Sequence, residues 1–237
     1  MSFKRQVPAV DLAMYVQAIP LLVKHPSILA VPLLAAVMAI LINAAVAPML
    51  TNAVGGAGAG LFGILVQLIY LWAFGIAIIQ ASQVWRNRRG SFDEAWEEGR
   101  TKFGGILLAA IGFQFVVWAA SYIGSFFGGV LGLVLGAVAA FFLIYTIPAA
   151  AIGGMPGALA ISASIRAVRA NVPGSILLAV VFFILWVVVP GYLPYVTATL
   201  SQVLYSLVMA VYEAIVLGYL AFPFAKQYDD VAFRGLW

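Results

Sequence analysis

The sequence predicts an all-α polytopic membrane protein with six transmembrane helices, arranged as three repeats of an interfacial helix plus a helical hairpin. Three observations carry this. Hydrophobic residues make up 65% of the 237 positions and charged residues only 8%, against roughly a quarter charged in ordinary globular chains. So few charges do not cover a water-facing surface. Crossing about 30 Å of hydrocarbon takes about 20 helical residues. Six apolar stretches reach or approach that length, at about 27–49, 60–84, 103–123, 126–150, 174–190 and 197–224. These runs also lack the alternation of a membrane barrel. Residues 1–237 read as a single membrane domain.

An interfacial helix is expected over about 8–24, started by Val7-Pro8 with Leu12, Tyr15, Ile19 and Val23 on one side. Lys4 and Arg5 do not make a cleavable signal peptide, because the first apolar run is too long and too far from them. The stretch Thr51 to Gly60 is glycine-rich and uncharged and reads as the linker between the first two spans. Span two ends at Arg86, Arg88 and Arg89.

A second interfacial helix is expected over about 91–102. Ser91 and Glu94 form a capping box, with Phe92, Trp96, Gly99 and Phe103 on one face and Glu98 and Lys102 paired at i,i+4. Spans three and four follow, and Gly124, Gly128, Gly132, Gly136 and Ala140 are placed in span four at a spacing of four. Such a row lets a neighbouring backbone approach closely, within this chain in preference to a dimer.

The third interfacial helix is expected over about 157–170. Ser162, Arg166 and Arg169 form a polar stripe beside the apolar Ile161, Ile165 and Val168. Val172-Pro173-Gly174 breaks it, a short fifth span follows, and Gly191-Tyr192-Leu193-Pro194 reads as a turn. Span six ends near Phe222-Pro223-Phe224, leaving a short polar tail.

The repeat rests on Pro26-Ser27-Ile28-Leu29-Ala30, Gly104-Gly105-Ile106-Leu107-Leu108 and Gly174-Ser175-Ile176-Leu177-Leu178, each opening a hairpin, at spacings of 78 and 70 residues. All twelve Lys and Arg lie in the N-terminus, around 85–102, around 155–173 or in the C-terminal tail. The positive-inside rule then puts both termini in the cytosol.

Glu213 is the only charged residue inside an expected span. It sits about 16 Å of helix from the cytosolic end, and an intramembrane carboxyl marks either a proton or substrate pathway or a structural hydrogen bond. It is expected to be neutral and to donate to Gln114 or Tyr70, which lie at similar depth and complete a polar cluster, with Asn43 and Gln67 further out. Arg86, Arg88, Arg89, Arg166 and Arg169 serve as topogenic charges or as ligands for anionic lipid headgroups. With no cysteine and a single histidine, a metal or haem would find no ligand set in the chain. No catalytic set and no cofactor are expected. Nucleic acid is not an expected partner, because the basic residues are spread between spans.

Ile147-Pro148, Gly153-Gly154, Ala158, Ser162, Ser164 and Arg166-x-x-Arg169, with Tyr228-Asp229-Asp230 and Arg234 near the C-terminus, form a pattern. It resembles that of YciC-like bacterial inner-membrane proteins and of the membrane domain fused ahead of some glycerophosphodiester phosphodiesterases. The resemblance implies a six-helix inner-membrane fold and transfers no catalytic residue. Together these expectations describe a non-enzymatic membrane protein acting through lipid or protein partners, including other subunits of a larger complex. The alternative is a small proton-coupled carrier centred on Glu213 and Gln114, although no discontinuous helix is evident in the sequence.

Overall fold

The computed structural model describes residues 10–197 and 200–233. Among them every regular element is helical, and six helices are long and apolar enough to cross a membrane. The protein is an all-α, multi-pass membrane protein.

Helix α1 (Leu12–Lys24) is capped by Asp11, whose carboxylate accepts the Ala13 N–H at 3.0 Å. The start expected at Pro8 lies outside the described residues, and the helix begins where Asp11 satisfies a free donor. Met14, Tyr15 and Ala18 pack inward, while Leu12, Val16, Ile19 and Val23 stay exposed. Tyr15 therefore leaves the stripe expected for it. A 3₁₀ turn over Pro26–Leu29 leads into α2 (Ala30–Val54), and α3 (Gly56–Asn87) returns antiparallel. The expected linker of 51–60 is helical apart from Gly55, whose φ of +65° makes the turn. One residue that tolerates positive φ suffices to close the hairpin.

Helix α4 (Phe92–Thr101) starts at Ser91, whose hydroxyl accepts the Glu94 N–H at 3.4 Å. Its buried residues are Ala95 and, from the expected aromatic face, Gly99, while Phe92 and Trp96 are half-buried against the core. A Cβ on Gly99 would lie 2.5 Å from Ile76 Cγ1, so α4 seats directly on α3. Trp96 stacks on Phe92 and meets Trp72 edge-on at 5.5 Å, which takes it partly away from lipid.

Helices α5 (Phe103–Ser125) and α6 (Gly129–Phe142) form a close hairpin. The glycine row is divided between them rather than lying in span four. Gly124 ends α5, Gly128 is the turn residue with φ +129°, and Gly132 and Gly136 open α6. A Cβ on Gly132 would lie 2.8 Å from the Ser121 carbonyl oxygen, and one on Gly124 would lie 2.7 Å from Gly132 Cα.

Span four is then interrupted. Leu143–Tyr145 leave the helix before α7 (Thr146–Ala151) resumes it. Pro148 is the cause: it has no N–H for the Ile144 carbonyl, and its ring crowds that carbonyl. Helix α8 (Ala158–Ala170) seals the gap. Ser164 Oγ accepts the Tyr145 N–H at 2.9 Å and donates to the Phe142 carbonyl at 2.9 Å. The inward face of α8 is Ala160, Ala163, Ser164 and Ala167 with Val168. Of the expected apolar stripe, Ile161 packs on Gly112 of α5 and Ile165 is half-buried.

Span five is longer than expected. Helix α9 (Val172–Phe183) passes through a π turn, Ile184–Val188, into α10 (Val189–Val196). The expected turn at Gly191–Pro194 is helical, and Pro190, unable to bond back one turn, accounts for the widened turn before it. The Tyr212 hydroxyl donates to the Leu185 carbonyl in that turn at 2.5 Å.

Helix α11 (Gln202–Phe233) runs through Pro223, so the expected polar tail is part of the bundle. Gln227, Tyr228, Asp230 and Val231 are all buried. Phe224, Tyr228 and Val231 at i, i+4, i+7 carry on the inward stripe of Leu217 and Leu220.

The core gathers at the charged end of the bundle, around Val84, Ala149, Ala163, Phe222 and Tyr228. At the opposite end the helices stand apart. Met49, Phe126, Phe127, Val130, Leu133 and Tyr195 are all more than two-thirds exposed. Apolar side chains exposed there meet lipid, which costs nothing by the hydrophobic effect.

Candidate functional site

Where the helices part, a cleft of about 610 Å³ opens between α3 and α11 on one side and α5, α6 and α9 on the others. Its wall mixes aliphatic side chains with rings, among them Phe113, Phe141, Phe182, Phe183 and Trp186, together with Phe74 and Phe224. Phe74, Phe224 and Phe182 are held edge to face, with centroids 5.1 and 6.2 Å apart. Such pairs fix ring orientation as well as burying area. Both irregular segments border this space. Leu143 and Ile144 come from the break in span four, and Trp186 and Val187 from the π turn.

Three polar side chains reach the cleft: Gln67 and Tyr70 from α3 and Gln114 from α5. Behind them is Glu213. The Tyr70 hydroxyl donates to Glu213 Oε2, and the Tyr70 ring meets Trp186 edge-on at 5.8 Å. The cluster of Glu213, Gln114 and Tyr70 is thus brought together in part. The acceptor in this bond is Glu213, the reverse of the expected direction, and its partner is Tyr70. Gln114 faces the cleft instead. Asn43 is exposed on α2.

The arginines divide. Arg86 is engaged with Asp229 at 2.5 Å, tying α3 to the end of α11. Arg88 takes a left-handed conformation, φ 59°, that closes α3. Arg89 and Arg169 are exposed. Arg166 is exposed and interacts electrostatically with Tyr228. Lys102 donates to Glu98 at 2.6 Å and to the Ala151 carbonyl at 2.8 Å, satisfying the end of α7. Lys226 pairs with Asp230 one turn along α11. Among the described residues no group of His, Asp or Glu is placed to hold a metal.

A second polar network escaped composition-based reasoning. The Tyr145 hydroxyl lies 3.0 Å from Ser175 Oγ, and Ser175 donates to the Asn171 carbonyl at 2.7 Å. Asn171 Oδ1 caps α9 by accepting the Gly174 N–H at 3.1 Å. No pattern within one helix announces it, because Tyr145 and Ser175 are 30 residues apart in the chain. Some residues of the Ile147–Arg169 pattern meet here, while Arg234 lies outside the described residues. Pro148 opens the break and Ser164 seals it, while a Cβ on Gly153 would lie 2.7 Å from the Tyr228 hydroxyl.

The fold and cleft define a polytopic helical membrane protein with an intramembrane, largely apolar cavity. Compared with known proteins, the chain matches no family model, no curated protein and no solved structure.

Proposed function

We propose that this chain is a non-enzymatic integral membrane protein that works by holding a lipid-like amphiphile in its cleft, alone or as a subunit that shares the amphiphile with other membrane proteins. The observation that carries this reading is the 610 Å³ cleft, which lies among membrane-spanning helices and is lined almost wholly by hydrocarbon and rings. Its size falls within the roughly 300–1,000 Å³ of small-molecule sites, and a few polar groups on an apolar wall are their usual composition. Carboxamides and a phenol suit holding a molecule in one orientation.

The same proposal places the protein in a bacterial inner membrane with both termini in the cytosol. The segregation of Lys and Arg at one end of the helices supports this. It also includes descent from three repeats, supported by an order in which each short helix, α1, α4 and α8, precedes a pair of spans. Membership of the YciC-like group stays a proposal on the motif residues.

Native mass spectrometry of the gently extracted full chain tests the reading. Wild type should carry a co-extracted amphiphile, and Ala179→Trp, which fills the cleft from α9, should lose it while remaining folded. Bare wild-type protein, or equal occupancy in the two, would refute it.

A carrier centred on Glu213 and Gln114 is the second reading. It is favoured by one observation: the interrupted spans four and five both border the cleft, as discontinuous helices border transporter sites.

A further inference from the structure

We infer that the occupant of the cleft is an uncharged amphiphile with a hydroxyl head, and that Gln114, Gln67 and the oxygen of Tyr70 recognise that hydroxyl. The inference rests on the binding role proposed above and narrows it to a chemical class.

The argument is electrostatic. Among the described residues lining the cleft, none carries a formal charge. An ionised phosphate buried there would lose its hydration without gaining a cation, at a cost of several kcal/mol. The carboxyl of Glu213 is already engaged by Tyr70, and in its charged form it repels an anion. The basic side chains at the charged end are bound to protein groups or project from the surface, Arg86 to Asp229 and Lys102 to Glu98 and Ala151. A phosphate headgroup finds its countercharge outside the cleft and none within it.

The hydrogen-bonding pattern narrows the class further. Tyr70 directs its proton to Glu213, so its oxygen offers a lone pair. The two carboxamides offer both N–H donors and carbonyl acceptors. A hydroxyl, which donates once and accepts twice, matches that set. A carbonyl group alone accepts but has nothing to donate to Tyr70. The remaining wall, Phe113, Val117, Ala179, Val180 and Phe183, suits the apolar body. Diacylglycerol is the simplest membrane molecule of this description.

The test uses the full chain in lipid nanodiscs with a photoreactive diacylglycerol analogue, competed by unlabelled diacylglycerol or by phosphatidic acid with the same acyl chains. Labelling should fall on peptides of α5 and α9. Excess diacylglycerol should suppress it about ten-fold, whereas phosphatidic acid at the same mole fraction leaves it within about two-fold. Gln114→Leu should weaken labelling on the order of five-fold, the weight of one net neutral hydrogen bond. The wild-type competition decides the matter even if that variant fails to fold. Equal or better competition by phosphatidic acid overturns the uncharged head and leaves the binding role standing. Absence of labelling by any amphiphile in α5 and α9 overturns both.

Discussion

Ser164 offers the sharpest test of how the break in span four is held. Its hydroxyl is fully buried and joins two backbone groups that the break releases, the Tyr145 N–H and the Phe142 carbonyl. In Ser164→Ala both are left unpaired in an apolar interior. Each buried unpaired group costs about 1–3 kcal/mol. Alanine recovers the cost of burying a hydroxyl, about 1–3 kcal/mol by mutational data, so the net loss is about 2 kcal/mol. The cause of the break is Pro148, which predicts strong coupling. In a Pro148→Ala background the Tyr145 N–H is free to bond along a continuous helix, and losing Ser164 should then cost less than about 1 kcal/mol. The interaction term of this double-mutant cycle should therefore exceed about 1 kcal/mol. Reversible unfolding in mixed micelles, read by circular dichroism and by Trp fluorescence, measures all four species. Additive effects, or a Ser164→Ala variant as stable as wild type, would refute the assignment of Ser164 as the plug.

Gly132→Leu should destabilise the protein by about 1–3 kcal/mol, an overpacking cost, because its side chain would enter the Ser121 carbonyl at 2.8 Å. Thermal unfolding in detergent checks this, and an unchanged midpoint would show that α5 and α6 do not approach so closely. Glu213→Gln keeps an oxygen to accept from Tyr70 and should leave folding unchanged, whereas Glu213→Leu should cost on the order of 1 kcal/mol, in the range of membrane hydrogen bonds. If the carrier reading holds, Glu213→Gln folds yet abolishes proton-driven uptake in proteoliposomes. If the binding reading holds, it retains bound amphiphile. Reporter fusions at each terminus should be active only on the cytosolic side, and activity across the membrane at either end would overturn the topology.

Much of the outline was legible because membrane insertion reads local composition. Six apolar runs, the segregation of Lys and Arg, and the Ser91 cap of α4 are all properties of short windows, and short windows determine them. Pro148 carries the local cause of the break in span four, yet no discontinuous helix is expected from the sequence, because a proline is tolerated inside membrane helices. The inward faces were a different matter. In water, hydrophobicity tells inside from outside. In lipid both sides of a helix are apolar, so the choice falls to packing, and small residues go inward. That is why α8 buries Ala160, Ala163 and Ala167 while Ile165 is left at the edge, and why α4 buries Ala95 and Gly99 more fully than Phe92 and Trp96. The tertiary structure alone decided which hydroxyl would reach the released groups at Tyr145, since Ser164 is 19 residues away in the chain. It carried α11 past Pro223, because Tyr228 and Val231 find a core to enter. It also made the cleft, which belongs to no single helix: it exists because five spans pack at the charged end and part at the other, bringing Gln67, Tyr70 and Gln114 around a space that no local pattern encodes.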